Sequence, residues 1–169
     1  MKIAVIGYAG SGKSTLARAL GEKYSVPVLH FDRVQFLPSW EERDRAEAHR
    51  LVHKFMENPA WVIDGTYSKF EYERRLAEAD EIVFLDLPRM TCFFRALKRY
   101  FRFRGKSRPD MADGCYEKMD LEFMWWLLWK GRTRQRREKF QKVVEQYPEK
   151  TVVLKSQREI DRYLEGLSC

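Results

Sequence analysis

The nine residues from Gly7 to Thr15, GYAGSGKST, restrict the fold of this chain more than any other stretch. Gly7, four residues, then Gly12, Lys13 and Ser14 fit the phosphate-binding loop G-x-x-x-x-G-K-[ST] without a mismatch. The preceding KIAVIG reads as a short buried strand. The following STLARALGEKY reads as a helix with Leu16, Ala19, Leu20 and Lys23 or Tyr24 on one stripe. Strand, loop and helix therefore come in the order the motif requires.

Each residue type in the motif has a physical reason. Glycines let successive backbone N–H groups point into one concavity, and the helix that follows adds the positive end of its dipole. Lys13 then reaches the outer phosphates as a point charge, and the Ser14 hydroxyl ligates a magnesium ion that arrives with the nucleotide. The expected ligand is a purine triphosphate, ATP, held by Gly7, Ala9, Gly10, Ser11, Gly12, Lys13, Ser14 and Thr15.

A chain of 169 residues is expected to form one domain, spanning 1–169, with a sizeable core. Its 44% apolar and 14% aromatic content excludes a disordered chain. Cys92, Cys115 and Cys169 are scattered and odd in number, which argues against a disulfide framework or a zinc site and fits a reducing compartment. The apolar run at the N-terminus is too short for a signal peptide, and LEFMWWLLW, Leu121 to Trp129, is too short to cross a bilayer. The expectation is a soluble cytoplasmic protein that does not engage a membrane.

Beyond the first helix, Val26 to Asp32, Trp61 to Gly65, Glu81 to Pro88 and Thr151 to Lys155 read as strands two to five. Amphipathic helices fill the gaps, and one from Met90 to Phe103 carries Met90, Phe93, Phe94, Leu97 and Phe101 as its core stripe. Apolar strands alternating with such helices imply a parallel sheet covered on both faces. Ligands in such sheets lie beyond the carboxyl ends of the strands. Strands two, three and four are expected to end at Asp32, Asp64 and Asp86. Asp64 has two candidate roles, holding the magnesium ion or making an Asp-Gly turn. Asp32 is a candidate to take a proton from an acceptor or to orient it, whereas Asp86 reads as a structural acid able to cap the next helix.

Several stretches together carry a family resemblance: GYAGSGKS at the N-terminus, HFD followed by FLPSW, WVIDGTY, FLDLPR, the RALKR helix, KSRPDM and LEFMWWLLW. The chain resembles the small P-loop proteins labelled DNA topology modulation proteins, which look like relatives of adenylate kinase and other nucleoside monophosphate kinases. The resemblance covers nearly the whole chain. It implies a three-layer α/β P-loop domain with a five-stranded parallel sheet in the order 2-3-1-4-5. It also implies that Asp64-Gly65 is the acidic turn that positions magnesium-bound water. Arg95 and Arg99 are similar to a kinase pair in which one arginine packs on adenine and the next binds phosphates, so they serve the charge of the transition state. One helical turn of separation puts both guanidinium groups on one side. RVQFLPSW departs from the monophosphate-binding sequence of adenylate kinase, which leaves a nucleotide or a nucleoside open as the acceptor.

The net charge of +7 is concentrated in one place. Arg89 to Arg108 holds eight basic residues and no acidic one, and the rest of the chain is nearly balanced. With KGRTRQRREK, this segment suggests a basic helical lid insertion, about 89–139, that closes over phosphates and excludes water. A nucleic-acid surface and a plain solvated helix face remain open as well, and the former would make the protein an ATP-binding regulator acting on DNA. Ser107 to Gly114 reads as a hinge with Arg108 at its edge, and the Trp-rich Leu121 to Trp129 as buried packing or a homodimer contact.

Overall fold

The computed structural model of the chain describes residues 1–67, 70–105, 111, 114–115 and 120–167. The hinge residues Arg108, Asp110 and Asp113 lie outside the described residues. Five parallel strands are β1 (Lys2–Gly7), β2 (Val28–His30), β3 (Trp61–Asp64), β4 (Glu81–Leu85) and β5 (Thr151–Leu154). Their order is β2-β3-β1-β4-β5, as the resemblance implies. Helices α1 (Lys13–Tyr24), α2 (Phe31–Gln35), α3 (Arg45–Met56) and α4 (Tyr72–Glu78) precede β4 or link the first strands. Then follow α5 (Arg89–Phe103), α6 (Leu121–Leu128), α7 (Arg134–Gln146) and α8 (Gln157–Gly166).

β1 runs through the centre of the sheet, and its alternation sorts the two cores. Ile3 and Val5 join Leu16 and Leu20 of α1 and Ile160 of α8 on one face. Ala4 and Ile6 join Val52 of α3, Leu76 of α4 and Phe140 of α7 on the other. Ile3, Val5 and Ile6 are at most 1% exposed, and burying each such side chain stabilises the fold by about 1.5–3 kcal/mol. Trp61 lies fully buried in β3, as expected of a core residue.

Two sequence expectations fail for stated reasons. β2 is only three residues long and stops at His30, because its pairing with β3 ends at His30 and Asp64. The chain then turns at once into α2, so Asp32 sits in a helical first turn rather than at a strand end. On α5 the buried residues are Cys92 and Ala96, whereas Met90, Phe94 and Phe101 are more than half exposed. At Cys92 the helix backbone approaches the phosphate loop closely: a Cβ at Gly10 would meet the Cys92 carbonyl at 2.5 Å. The Trp-rich helix is likewise only partly covered. Leu127 is buried, while Trp125 and Trp129 stack on each other at 4.5 Å and remain about half exposed.

Among the described residues no helix is long and apolar enough to cross a membrane.

Candidate functional site

A cleft of about 1710 Å³ opens beyond the carboxyl ends of the strands. The whole phosphate loop, Gly7 to Thr15, lines it, together with Asp32, Asp64, Arg95 and Arg99. Single-ligand pockets usually hold about 300–1,000 Å³, so this space suits two substrates side by side.

The loop is built for close approach. Gly10 and Gly12 have φ of 73° and 98°, a region that side chains disfavour. Helix α1 starts at Lys13 with Gly12 as its N-cap and no side-chain cap. Helices α3, α6, α7 and α8 instead use Asp44, Asp120, Thr133 and Ser156 to cap their first N–H groups. The uncapped donors of α1, with the positive end of its dipole, face the cleft and fit a phosphate. The Ser11 hydroxyl is fully buried and has no hydrogen-bond partner among the described residues.

Lys13 donates from Nζ to the Tyr8 carbonyl at 2.9 Å, which folds the side chain over its own loop. Burial lowers the Lys13 pKa, and the nearby Asp64 and Asp32 carboxylates oppose that shift. The ammonium therefore lies in the field of both acids.

β3 ends at Asp64, which is 4% exposed. Its neighbour in register is His30, whose Nδ1 lies 3.0 Å from Asp64 Oδ2. The turn that follows is tied back to the loop: the Thr66 hydroxyl donates to the Gly7 carbonyl at 3.0 Å and accepts from the Gly7 N–H at 3.3 Å. Tyr67 donates its hydroxyl to Asp32 Oδ1 at 2.9 Å. Burial and the Asp32 charge raise the Tyr67 pKa far above that of an ordinary phenol, so it stays a donor.

Arg75 holds this turn from behind. Its guanidinium donates to the carbonyls of Gly65 at 3.1 Å and Tyr67 at 2.9 Å and lies 4.2 Å over the Phe31 ring. Burial lowers its pKa to about 10, which still leaves it charged at neutral pH.

Arg95 and Arg99 of α5 both line the cleft. Arg95 bonds the Ser11 carbonyl of the loop and the Gln157 side chain of α8. Asp86, expected as a helix cap, is not one: α5 begins after Pro88 with no side-chain cap. Its backbone N–H continues the β5 pairing through Leu154, and burial raises its carboxyl pKa.

Sequence reasoning missed His30, Tyr67 and Arg75. Only strand register places His30 beside Asp64, and only the fold of the turn after β3 turns Tyr67 and Arg75 inward. The DGTY sequence after a buried strand was the available signal.

The oxygen donors here suit a hard cation such as magnesium. Ser14 stands at the helix start, and Asp64 faces the same cleft. Among the described residues no group of three or more His, Cys, Asp or Glu forms a metal cage, so phosphate oxygens and water would complete the coordination of an ion there.

Solved structures share this architecture. Shikimate kinase from Acinetobacter baumannii, in complex with shikimate, aligns with a TM-score of 0.59 at 17% identity, over 98% of this chain and 90% of its own. Deoxyadenosine kinase from M. mycoides with bound dATP aligns with a TM-score of 0.54 at 15% identity, over 100% of both chains. Shikimate kinase from Bacteroides thetaiotaomicron gives 0.50 at 16% identity, over 99% of this chain and 96% of its own. These likenesses establish an α/β P-loop kinase fold. No curated protein matches the sequence significantly. A family model described as the AAA domain matches residues 3–124, most of the chain and all of the phosphate loop, and the protein accordingly belongs to the AAA domain family.

Proposed function

We propose that this protein is an ATP- and magnesium-dependent phosphotransferase that moves the γ-phosphate of ATP to a hydroxyl group of a small acceptor. One observation carries the reading: an uncapped phosphate loop and two separate carboxylates, Asp32 and Asp64, line a single cleft large enough for two substrates.

In this reading the loop N–H groups, Lys13 and Ser14 hold the phosphates. Ser14 and Asp64 would hold a magnesium ion, which when bound would neutralise charge on the phosphate oxygens. Asp32 receives the acceptor's proton as the acceptor oxygen bonds to the γ-phosphorus. The bond from that phosphorus to the bridging oxygen breaks, and its electron pair leaves on ADP. The Tyr67 hydrogen bond keeps Asp32 oriented for this step. Arg95 and Arg99 face the charge that spreads during transfer. The segment from α5 to α7 acts as a lid, since cations of α5 and α7 line the cleft, and water exclusion favours transfer over hydrolysis. The buried free cysteines Cys92 and Cys115 fit a reducing cytoplasm.

The DNA-acting reading, topology modulation through the basic segment, rests on net charge. Four of the α5 cations, Arg95, Lys98, Arg99 and Arg102, line the cleft, which favours a polyanionic ligand inside it. ADP release from Mg-ATP across nucleosides, nucleoside monophosphates and other small hydroxylated compounds tests the choice. Stimulation by one acceptor class supports transfer; slow hydrolysis indifferent to every acceptor contradicts it.

A further inference from the structure

We propose that the second subsite of the cleft takes an uncharged, planar, hydroxylated acceptor of nucleoside chemistry rather than a nucleotide. This inference rests on the phosphotransferase reading and names the acceptor class that it leaves open.

The segment between β2 and α3 supplies one wall: Asp32, Gln35, Phe36, Trp40 and Glu42 line the cleft. Phe36 and Trp40 meet edge to face with ring centroids 5.3 Å apart, and both rings are half-buried. In such a pair the edge of one ring braces the other, and an aromatic face held this way is a stacking surface for a heterocycle. The Gln35 amide carries a donor and an acceptor, the equipment needed to read the edge of a base.

The backbone that presents Trp40 is strained. Ser39 and Trp40 have φ of 64° and 66°, two successive side-chain-bearing residues in the left-handed region. Each such residue is unfavourable, and it persists only where its surroundings hold it. Here they do. Leu37 N–H donates to the Glu41 carbonyl at 2.7 Å, and Phe36 bridges to Glu42. Cys115 clamps the turn from outside: its Sγ accepts the Trp40 N–H at 3.3 Å and donates to the Leu37 carbonyl at 3.3 Å. A tryptophan kept half-buried in a cleft by a strained and clamped turn is placed for contact with a ligand.

Charge then selects the ligand. The wall from Asp32 to Glu42 and the turn from Asp64 to Tyr67 bring three carboxylates to the cleft, Asp32, Glu42 and Asp64, and no cation among the described residues. The cleft's cations come from α1, α5 and α7. Two on α7 are engaged with rings, Lys139 over Tyr72 at 4.0 Å and Arg136 over Trp126 at 5.3 Å. A phosphate carried by the acceptor would face like charge on these walls, whereas a neutral acceptor's hydroxyl would meet Asp32. Transfer forms the bond from that hydroxyl oxygen to the γ-phosphorus, breaks the bond to the ADP oxygen, and leaves the proton on Asp32.

Calorimetric titration of nucleosides and their 5′-monophosphates, with no ATP present, tests the subsite independently of catalysis. The expected result is at least tenfold tighter binding of a nucleoside than of its own monophosphate. Trp40→Ala should weaken the nucleoside about tenfold while the melting temperature and Mg-ATP affinity stay near wild type. Glu42→Arg, at an exposed position, should narrow the preference over the monophosphate. Tighter binding of monophosphates, no binding of either class, or unchanged nucleoside affinity in Trp40→Ala overturns the inference. The two readings fail separately. Nucleosides that bind through Trp40 without ever receiving phosphate sink the phosphotransferase and keep the subsite. Phosphate transfer to monophosphates alone does the reverse.

Discussion

His30 Nδ1 stands 3.0 Å from Asp64 Oδ2, and the two residues are register partners at the ends of β2 and β3. Parallel pairing puts adjacent strand ends side by side, so the imidazole holds one oxygen of a carboxylate that lines the cleft. In the proposed mechanism the ring acts through Asp64, as a positioning residue.

Removing it should loosen the acid without removing it. His30→Ala is expected to lower kcat about tenfold with a smaller change in KM for ATP, in line with losses seen when a partner that orients a ligand is removed. His30→Asn, which keeps a short donor, should recover part of the loss. Steady-state kinetics of the three proteins provide the check, and a change confined to KM would contradict the positioning role.

Arg75 is 1% exposed and supplies the donors for the Gly65 and Tyr67 carbonyls. Arg75→Leu leaves both carbonyls without that partner in a closed space. The expected cost is about 2–4 kcal/mol of stability. Urea unfolding should show a lower midpoint with an unchanged slope. Because the turn carries Tyr67, whose hydroxyl orients Asp32, acceptor turnover should fall further than nucleotide affinity.

Asp86 gives a pH signature. Burial raises its folded pKa above that of an ordinary aspartate, so the folded state binds the proton more tightly than the unfolded chain. Stability therefore declines as pH rises from about the unfolded value through the folded one, and the penalty is fully present above the folded pKa. Asp86→Asn should raise the melting temperature at pH 7, and the gap over wild type should shrink as pH falls towards 4. A gap that widens on acidification would show that Asp86 stabilises the fold as a carboxylate.

Much of the fold was legible because its signals are local. The loop motif with its flanking strand and helix announced β1 and α1, and the apolar runs of β3, β4 and β5 stood out by composition and length. The sheet order came through resemblance and matches the structure. What stayed hidden depends on distant neighbours. Periodicity gave α5 an apolar stripe but not the surface it would face; the Gly10 backbone packs against Cys92, which with Ala96 is buried, while Phe94 and Phe101 stay outside. Asp32 was found as a residue and misplaced as a strand end, because the length of β2 is decided by its pairing with β3. Arg75 looked like one more basic residue of a helix, and only the turn after β3 makes it a buried donor.

The central claim is transfer of phosphate out of the loop that Lys13 closes. Its most direct test incubates wild type and Lys13→Ala with Mg-ATP and a nucleoside panel and follows both phosphorylated acceptor and free phosphate by phosphorus NMR. The account predicts a phosphorylated acceptor formed one for one with ADP by wild type, with a rate at least about a hundredfold lower in Lys13→Ala. Free phosphate as the sole product, or equal rates for the two proteins, would contradict it.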